Sequence, residues 1–249
     1  MNHWLPEEFE VSNFENILKG RISQIRNYNG SDETGLCEYK YNEFGFRADS
    51  IYKEGFKIMS IGCSNTEGVG VKMEETWPAQ LANLFTNGVN INLSVGGRSN
   101  DFISRALLTY YDYFKPDLVL IMYTETHRRD FFTPKGGVEP FHHSPWGYFS
   151  ETEEGKEEHR ALLTLLNKEN NFQNWYKNHL LIKYFLESKN TKWLWDGWFA
   201  TDKITDTNRF NGDFYPFLDY GVDNVHPGPL THGTYAKKIY DYIIKNMLV

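Results

Sequence analysis

The sequence pattern that most constrains the fold is an alternation of apolar, strand-length segments with amphipathic helices between residues 56 and 123. Phe56–Ile61 and residues 89–95 favour strands, and Leu118–Tyr123 is continuously apolar, as in a central strand covered on both faces. Residues 75–85 and about 101–114 place apolar side chains on one helical face. Strands that alternate with helices through short connections predict a parallel sheet with right-handed crossovers, which is an α/β fold.

The second half of the chain contains three further predicted elements. Residues 172–188 favour a helix, residues 192–195 a short strand, and residues 231–248 an amphipathic helix.

In the predicted α/β fold, the polar loops after the first three strands fall at the sheet edge where open α/β proteins bind ligands. We expect the segment at 223–227, in front of the last helix, at the same edge.

Two segments lack a regular pattern. Residues 1–55 are polar and aromatic, and we interpret them as an arm with one helix at 12–25 that packs on the main domain. Residues 127–170 are rich in proline, glycine and acidic side chains, which predicts a long functional loop or lid insertion, with a helix starting near 157–166. Because the sequence contains no repeat and no linker, we expect a single domain over residues 1–249.

The composition limits the partners and the location of the protein. The formal net charge is −7, so neither nucleic acid nor an anionic membrane is an expected partner. No apolar run approaches the roughly 20 residues needed to cross a bilayer. The first eight residues resemble no signal peptide, so we expect a cytoplasmic location, with a virion or export without a signal peptide as the alternative. The oligomeric state is not predicted.

The cysteine and histidine positions predict neither a disulfide framework nor a metal centre. Only Cys37 and Cys63 are present, without the spacing of a zinc site. His127, His142, His143 and Asp130 could suggest a metal site, but their loop gives no defined ligand geometry. We therefore predict no metal and no cofactor.

Ser64 is the candidate nucleophile. It follows the first strand, two residues after Gly62, and its backbone N–H is a candidate donor to an oxyanion. Covalent ester hydrolysis also needs a base and a group that orients the base. No glycine stands two residues after Ser64, so the Gly-x-Ser-x-Gly elbow of the α/β-hydrolases is absent.

Asp223 and His226 are candidates for those two roles. Histidine titrates near neutral pH and can take the Ser64 proton and return it to a leaving group. Pro227 disfavours the α conformation at His226, so an aspartate three residues earlier could turn back to the imidazole. The same spacing would result if Asp223 only capped the last helix and His226 lay on the surface. The spacing alone favours neither this structural interpretation nor the catalytic one.

Three segments together resemble the SGNH (GDSL-type) hydrolases. They are residues 62–68 (GCSNTEG, with Cys63 where that family has Asp), 92–99 (NLSVGGRS) and 223–227 (DNVHP). The resemblance covers about residues 42–128 and 215–248. It implies a flavodoxin-like, three-layer α/β/α fold with a mainly parallel sheet, and a catalytic triad of Ser64, Asp223 and His226. It also implies that Gly97 supplies a second oxyanion N–H.

The remaining block of the family, Gly-x-Asn-Asp after the central strand, is altered. Alignment of the strand puts Thr126 where the family has the Asn that donates to the oxyanion, and His127 where it has Asp. We therefore expect an oxyanion hole of Ser64, Gly97 and Thr126. Arg128 and Asn65 are the further polar side chains expected to bind substrate.

These residues predict a serine esterase that acts on a small acyl ester, with an O-acetyl group on a carbohydrate as the specific candidate. Trp146, Tyr148 and Phe149 could stack on a sugar ring, or could equally anchor the long loop to the core. Two alternatives stay open: a binding or structural domain that kept the fold without catalysis, and an acyltransferase that excludes water from the acyl-enzyme.

Overall fold

The computed structural model describes residues 27–29, 36–39, 41–50, 52–132, 138–141, 164–197, 206–212 and 214–246 of the chain. Its strands are β1 (Asn27–Asn29), β2 (Leu36–Glu38), β3 (Phe56–Ile61), β4 (Gly88–Asn92), β5 (Leu118–Tyr123), β6 (Arg129–Phe132), β7 (Val138–Phe141) and β8 (Lys192–Gly197). Its helices are α1 (Ser64–Glu67), α2 (Trp77–Asn83), α3 (Asn100–Phe114), α4 (Lys168–Ser188) and α5 (Pro229–Lys245), with a 3-10 turn at Met73–Glu75.

The central sheet is four-stranded and parallel throughout, in the order β4-β3-β5-β8. Counted along the chain within this sheet, the order is 2-1-3-4, which is the strand order of flavodoxin-like folds. All six residues of β5 are buried, as its continuous apolar sequence predicts for a strand with a layer on each face.

Helices cover both faces of the sheet. One core cluster joins α3 and α4 to alternate residues of the strands, for example Met59 and Ile121. The other joins α2 and α5 to the residues that point the opposite way, for example Ile58 and Leu120. The predicted three-layer α/β/α fold is confirmed.

Local side-chain chemistry determines where the helices begin. The Ser99 hydroxyl accepts hydrogen bonds from the Asp101 and Phe102 amides at 3.1 and 3.2 Å, which fixes the start of α3 as the sequence predicts. Helix α2 is shorter than the predicted 75–85, because Thr76 caps it and Pro78 occupies its first turn. Helix α5 begins at Pro229 rather than at residue 231. Proline is tolerated in the first turn of a helix, because a backbone N–H there would have no intrahelical acceptor and its absence costs no hydrogen bond.

The structure also corrects the sequence prediction for strand β4 and for the 127–170 segment. Strand β4 ends at Asn92 rather than at residue 95, because the Asn92 side chain accepts a hydrogen bond from the Ser94 amide and turns the chain. The start of the 127–170 segment is not irregular, since β6 and β7 pair antiparallel within it. The predicted helix at 12–25 and residues 157–163 of the one at 157–166 lie outside the described residues, as do Trp146, Tyr148 and Phe149.

Part of the predicted N-terminal arm packs on the sheet layers. Phe46 is 1% exposed and belongs to the core cluster of α3 and α4, where its ring meets Tyr110 edge-on. Among the described helices, none combines the length and the apolar character that a membrane crossing requires.

Candidate active site

Ser64 lies at the carboxyl end of β3, as the first residue of the short helix α1. The turn into this helix depends on Gly62, where a Cβ atom would lie 2.2 Å from Thr66 Oγ1 and 3.0 Å from the Met122 carbonyl oxygen. Cys63 is extended, with φ −111°, and the chain becomes helical at the next residue. An N–H in the first turn of a helix has no intrahelical acceptor, so the Ser64 amide suits the predicted role of oxyanion donor.

The loop after β4 lies directly beside Ser64. A Cβ atom on Gly96 would be 3.6 Å from the Ser64 Cβ. The Gly96 amide donates to the Glu67 carboxylate, and Asn92 Nδ2 donates to the Thr66 carbonyl at 2.7 Å. These bonds fix the loop against α1, and they occupy the Gly96 N–H.

Gly97 has a backbone conformation that favours glycine. It has a φ of 75° in a turn closed by a hydrogen bond from the Arg98 amide to the Val95 carbonyl at 3.3 Å. Side chains other than glycine rarely adopt this conformation. With the Gly96 N–H already bonded to Glu67, Gly97 stays the predicted second oxyanion donor of this loop.

Asp223 and His226 form a hydrogen-bonded pair. His226 Nδ1 lies 2.5 Å from Asp223 Oδ2, while Asp223 Oδ1 accepts from the amides of Val225 and His226 at 3.1 and 3.0 Å. Burial raises the pKa of Asp223, but the hydrogen bonds from the His226 amide and ring outweigh it and hold the pKa below its ordinary value. An ionised Asp223 that accepts from Nδ1 leaves Nε2 of a neutral imidazole as the proton acceptor.

The loop that carries this pair packs against the chain just beyond α1. The Val222 amide donates to the Gly70 carbonyl at 2.9 Å. A Cβ atom on Gly70 would come within 2.9 Å of Asp223 Oδ1, and one on Gly221 within 2.7 Å of the Gly70 carbonyl oxygen. Glycines at both positions let the two backbones approach, which brings the Asp–His pair to the segment that begins with Ser64.

Within the described residues, no hydrogen bond joins the Ser64 hydroxyl to the His226 ring, and Ser64 Oγ accepts only from Cys63 Sγ, at 3.9 Å. Catalytic hydrogen bonds are often long in a site without substrate and shorten when substrate binds. The structure therefore forms the Asp–His half of the predicted triad, and the Ser64–His226 contact stays a prediction.

A buried arginine that sequence reasoning missed supports this segment. Arg47, 1% exposed, donates from its guanidinium to the carbonyls of Glu67, Gly68 and Val71 at 3.1, 2.5 and 2.8 Å. The Tyr39 hydroxyl accepts from the Gly70 amide at 2.5 Å, and the Arg47 guanidinium lies 4.0 Å from the Tyr39 ring centre. The sequence around Arg47 carries no signal of this contact, because the carbonyls that accept from it lie 20 to 24 residues further along the chain.

A small pocket of about 30 Å³ opens beside Ser64. It is lined by Cys63, Ser64, Asn65, Met122, Tyr123, Thr124, Glu125 and Arg128. Thr126, the predicted third oxyanion donor, does not line this pocket, whereas both predicted substrate-binding residues, Asn65 and Arg128, do.

Charged and thiol groups form one wall of the pocket. Arg128 Nη1 donates to Cys63 Sγ at 2.8 Å, which joins the loop after β5 to the loop after β3. Glu125 lies 3.6 Å from Arg128 Nε and 2.8 Å from the His127 ring, and the hydrogen bond from His127 lowers the pKa of Glu125. Cys63, where the resembling family has Asp, thus contacts a guanidinium.

Among the side chains that the structure describes, no cluster of His, Cys, Asp and Glu has the arrangement of a metal site. Asp130 instead accepts hydrogen bonds from Ser99 and Arg105. His142 and His143 lie outside the described residues.

Comparison with known proteins gives distant structural similarities. No protein-family profile and no curated protein sequence matches the chain. Among solved structures, TesA is 15% identical with a TM-score of 0.47, over 78% of this chain and 99% of that one. A family 3 carbohydrate esterase from Clostridium thermocellum is 15% identical with a TM-score of 0.37, over 78% and 98%. A lipolytic protein of the G-D-S-L family from Desulfitobacterium hafniense is 14% identical with a TM-score of 0.36, over 75% and 99%. None of these similarities is close enough to assign an activity to this chain.

Proposed function

We propose that the protein is a serine esterase that hydrolyses a small acyl ester through an acyl-Ser64 intermediate. The observation that carries this proposal is the Asp223–His226 pair, which is hydrogen-bonded at 2.5 Å and packed against Gly70 in the segment that begins with Ser64. A capping aspartate does not require a histidine ring on its second oxygen, so this contact favours the catalytic interpretation over the structural one.

In the proposed reaction, Ser64 Oγ attacks the acyl carbon while His226 Nε2 accepts its proton. Asp223 keeps the ring oriented and stabilises the imidazolium that forms. The amides of Ser64 and Gly97 donate to the oxyanion. His226 then protonates the departing alcohol, and a water molecule activated by the same ring hydrolyses the acyl-enzyme and restores Ser64.

The pocket beside Ser64 supports a small acyl group. Its volume of about 30 Å³ exceeds the roughly 10–15 Å³ that a cavity needs to hold one water molecule, so only a small group fits it. An acetyl methyl is thus the acyl substituent that we propose for this pocket.

A second cavity supports a hydroxyl-rich alcohol component, such as a carbohydrate. It measures about 180 Å³ at the carboxyl end of β8 and shares Met122 with the pocket beside Ser64. Arg209, Asn211 and the half-exposed Tyr215 ring line it, and such polar and aromatic groups suit a sugar.

Labelling with a fluorophosphonate probe, followed by mass spectrometry, tests the proposal. We expect a single adduct on Ser64 in the wild-type chain and none in Ser64→Ala. Absence of the adduct in a folded wild-type protein would instead support a binding domain without catalysis. Release of acetate from p-nitrophenyl acetate, with and without added sugars, then separates hydrolysis from transfer, because an acyltransferase would yield acetylated sugar in place of acetate.

A further inference from the structure

Asn65 presents an unsatisfied amide beside the nucleophile. It is 4% exposed and lines the same 30 Å³ pocket as Ser64. Its Oδ1 atom is buried and has no hydrogen-bond partner among the described residues. Such a group costs stability, because water no longer solvates it and no protein group replaces the water.

The other candidate donors of this pocket are less suitable. Thr126 does not line it. The Arg128 guanidinium is already bonded to Cys63 Sγ and lies near Glu125, so it is held at the wall. The Asn65 amide nitrogen donates to no described group and is not fully enclosed, so its N–H is available to an acceptor in the pocket.

We propose that the Asn65 amide donates a hydrogen bond to the acyl oxygen of the substrate, in the role for which the sequence predicts Thr126. This inference rests on the proposed esterase function. The donor adjoins the nucleophile on α1, and its bond strengthens as negative charge develops on the acyl oxygen in the transition state. The Asn65 N–H then has the acyl oxygen of the substrate as its acceptor.

The variant Asn65→Leu tests this assignment, because leucine has a similar size and no donor. We expect its kcat for p-nitrophenyl acetate to fall by about 10²–10³, with a smaller change in KM. Thr126→Val tests the donor that the sequence predicts, and it should lower kcat far less than Asn65→Leu does. Asn65→Ala should show the same loss as Asn65→Leu, which keeps the test valid if the leucine does not fit.

A stability measurement separates catalysis from a structural role. Replacement of a buried, unsatisfied amide by an apolar group should leave the midpoint of urea unfolding unchanged or raise it. A structural Asn65 would instead lower the midpoint in Asn65→Leu, and this result would overturn the proposal.

The kinetic outcomes also distinguish the two proposals. Wild-type kcat in both Asn65 variants, or an equal loss in Thr126→Val, would refute the role of Asn65 while the esterase stands. A wild-type protein that neither labels at Ser64 nor hydrolyses the ester would refute the esterase itself.

Discussion

The two sides of the candidate site differ in how closely they follow the family that the sequence resembles. On the side of the base, Asp223 and His226 make the expected pair, and Asp223 accepts two further backbone hydrogen bonds. On the side where we propose that the acyl oxygen binds, the pocket wall is rebuilt from Cys63 and Asn65, which follow β3, and from Arg128, which follows β5.

The difference teaches which parts of such a site tolerate change. The base and its aspartate lie in one short loop, so a single substitution there leaves no neighbour to take over. In the proposed site, the acyl-oxygen side draws its donors from the loops after β3 and β4, so a donor lost from one loop can be supplied by the other. Four predictions test this contrast, from the largest effect to the smallest.

Replacement of the base should have the largest effect. His226→Ala should lower kcat for p-nitrophenyl acetate by about 10⁴, since no other group on that side can take the Ser64 proton. Val225→Ala, a change at a 66%-exposed side chain of the same loop, is the control and should keep full activity. If His226→Ala kept its activity, the base side would tolerate substitution as well as the acyl-oxygen side does, and the contrast would fail.

Gly70→Ala should damage the base side without touching a reacting group. The new Cβ would lie 2.9 Å from Asp223 Oδ1 at a φ of 84°, so we expect a loss of about 1–2 kcal/mol in unfolding free energy and a reduced kcat. Gly197→Ala places a Cβ 3.5 Å from the Tyr123 Cβ, an ordinary contact, and serves as the control in urea unfolding and kinetics. Equal stability of the two variants would contradict the packing described here.

His232, which lies six residues after His226, should make the free energy of unfolding decrease at acidic pH. Its Nδ1 accepts from the Trp77 amide at 3.0 Å, and complete burial lowers its pKa to about 3. An unfolded histidine has a pKa near 6.5, so the unfolded chain binds the proton more tightly and stability falls as the pH drops below that value.

Urea unfolding at pH 7.5 and pH 5.5 measures this effect. The contribution of His232 should amount to about 1.4 kcal/mol between the two values. His232→Gln keeps a side-chain acceptor for the Trp77 amide but does not titrate, so the pH dependence should decrease by that amount. An unchanged pH dependence in the variant would show that His232 is protonated in the folded chain.

The smallest effect is expected on the rebuilt side. Cys63→Asp restores the residue that the family has at this position and places a carboxylate beside Arg128. Because an ion pair that is partly exposed contributes only about 0–1 kcal/mol, kcat/KM should stay within about fivefold of wild type. Cys63→Leu removes the contact with Arg128 and serves as the comparison variant. A large gain in kcat/KM in Cys63→Asp would contradict the prediction, because it would mean that the wall with Cys63 supports catalysis less well than the wall with Asp.

The parts of the fold and the site that the sequence predicts are those determined by nearby residues. The bounds of β3 and β5, the Ser99 cap and the Asp223–His226 spacing depend on periodicity, on local hydrogen bonds and on the restriction imposed by Pro227. These features are visible within a few residues, and the structure confirms both strands and the cap.

The parts that the sequence does not predict depend on contacts between distant segments. Nothing near Arg47 announces that its guanidinium bonds three carbonyls beyond α1, and nothing near Thr126 shows that it lies outside the pocket. The β6–β7 pair was missed because proline and glycine residues obscure its strand pattern.

The contact between Gly70 and the 221–223 loop has a consequence for the order of folding. It joins segments that are separated by most of the central sheet, so its formation requires closure of a long loop of chain. Non-local contacts of this kind form after local helices and neighbouring strand pairs, and they tend to open before the core does. The proposed esterase activity should therefore be gained in the last step of folding, and be lost on heating while the secondary structure still persists.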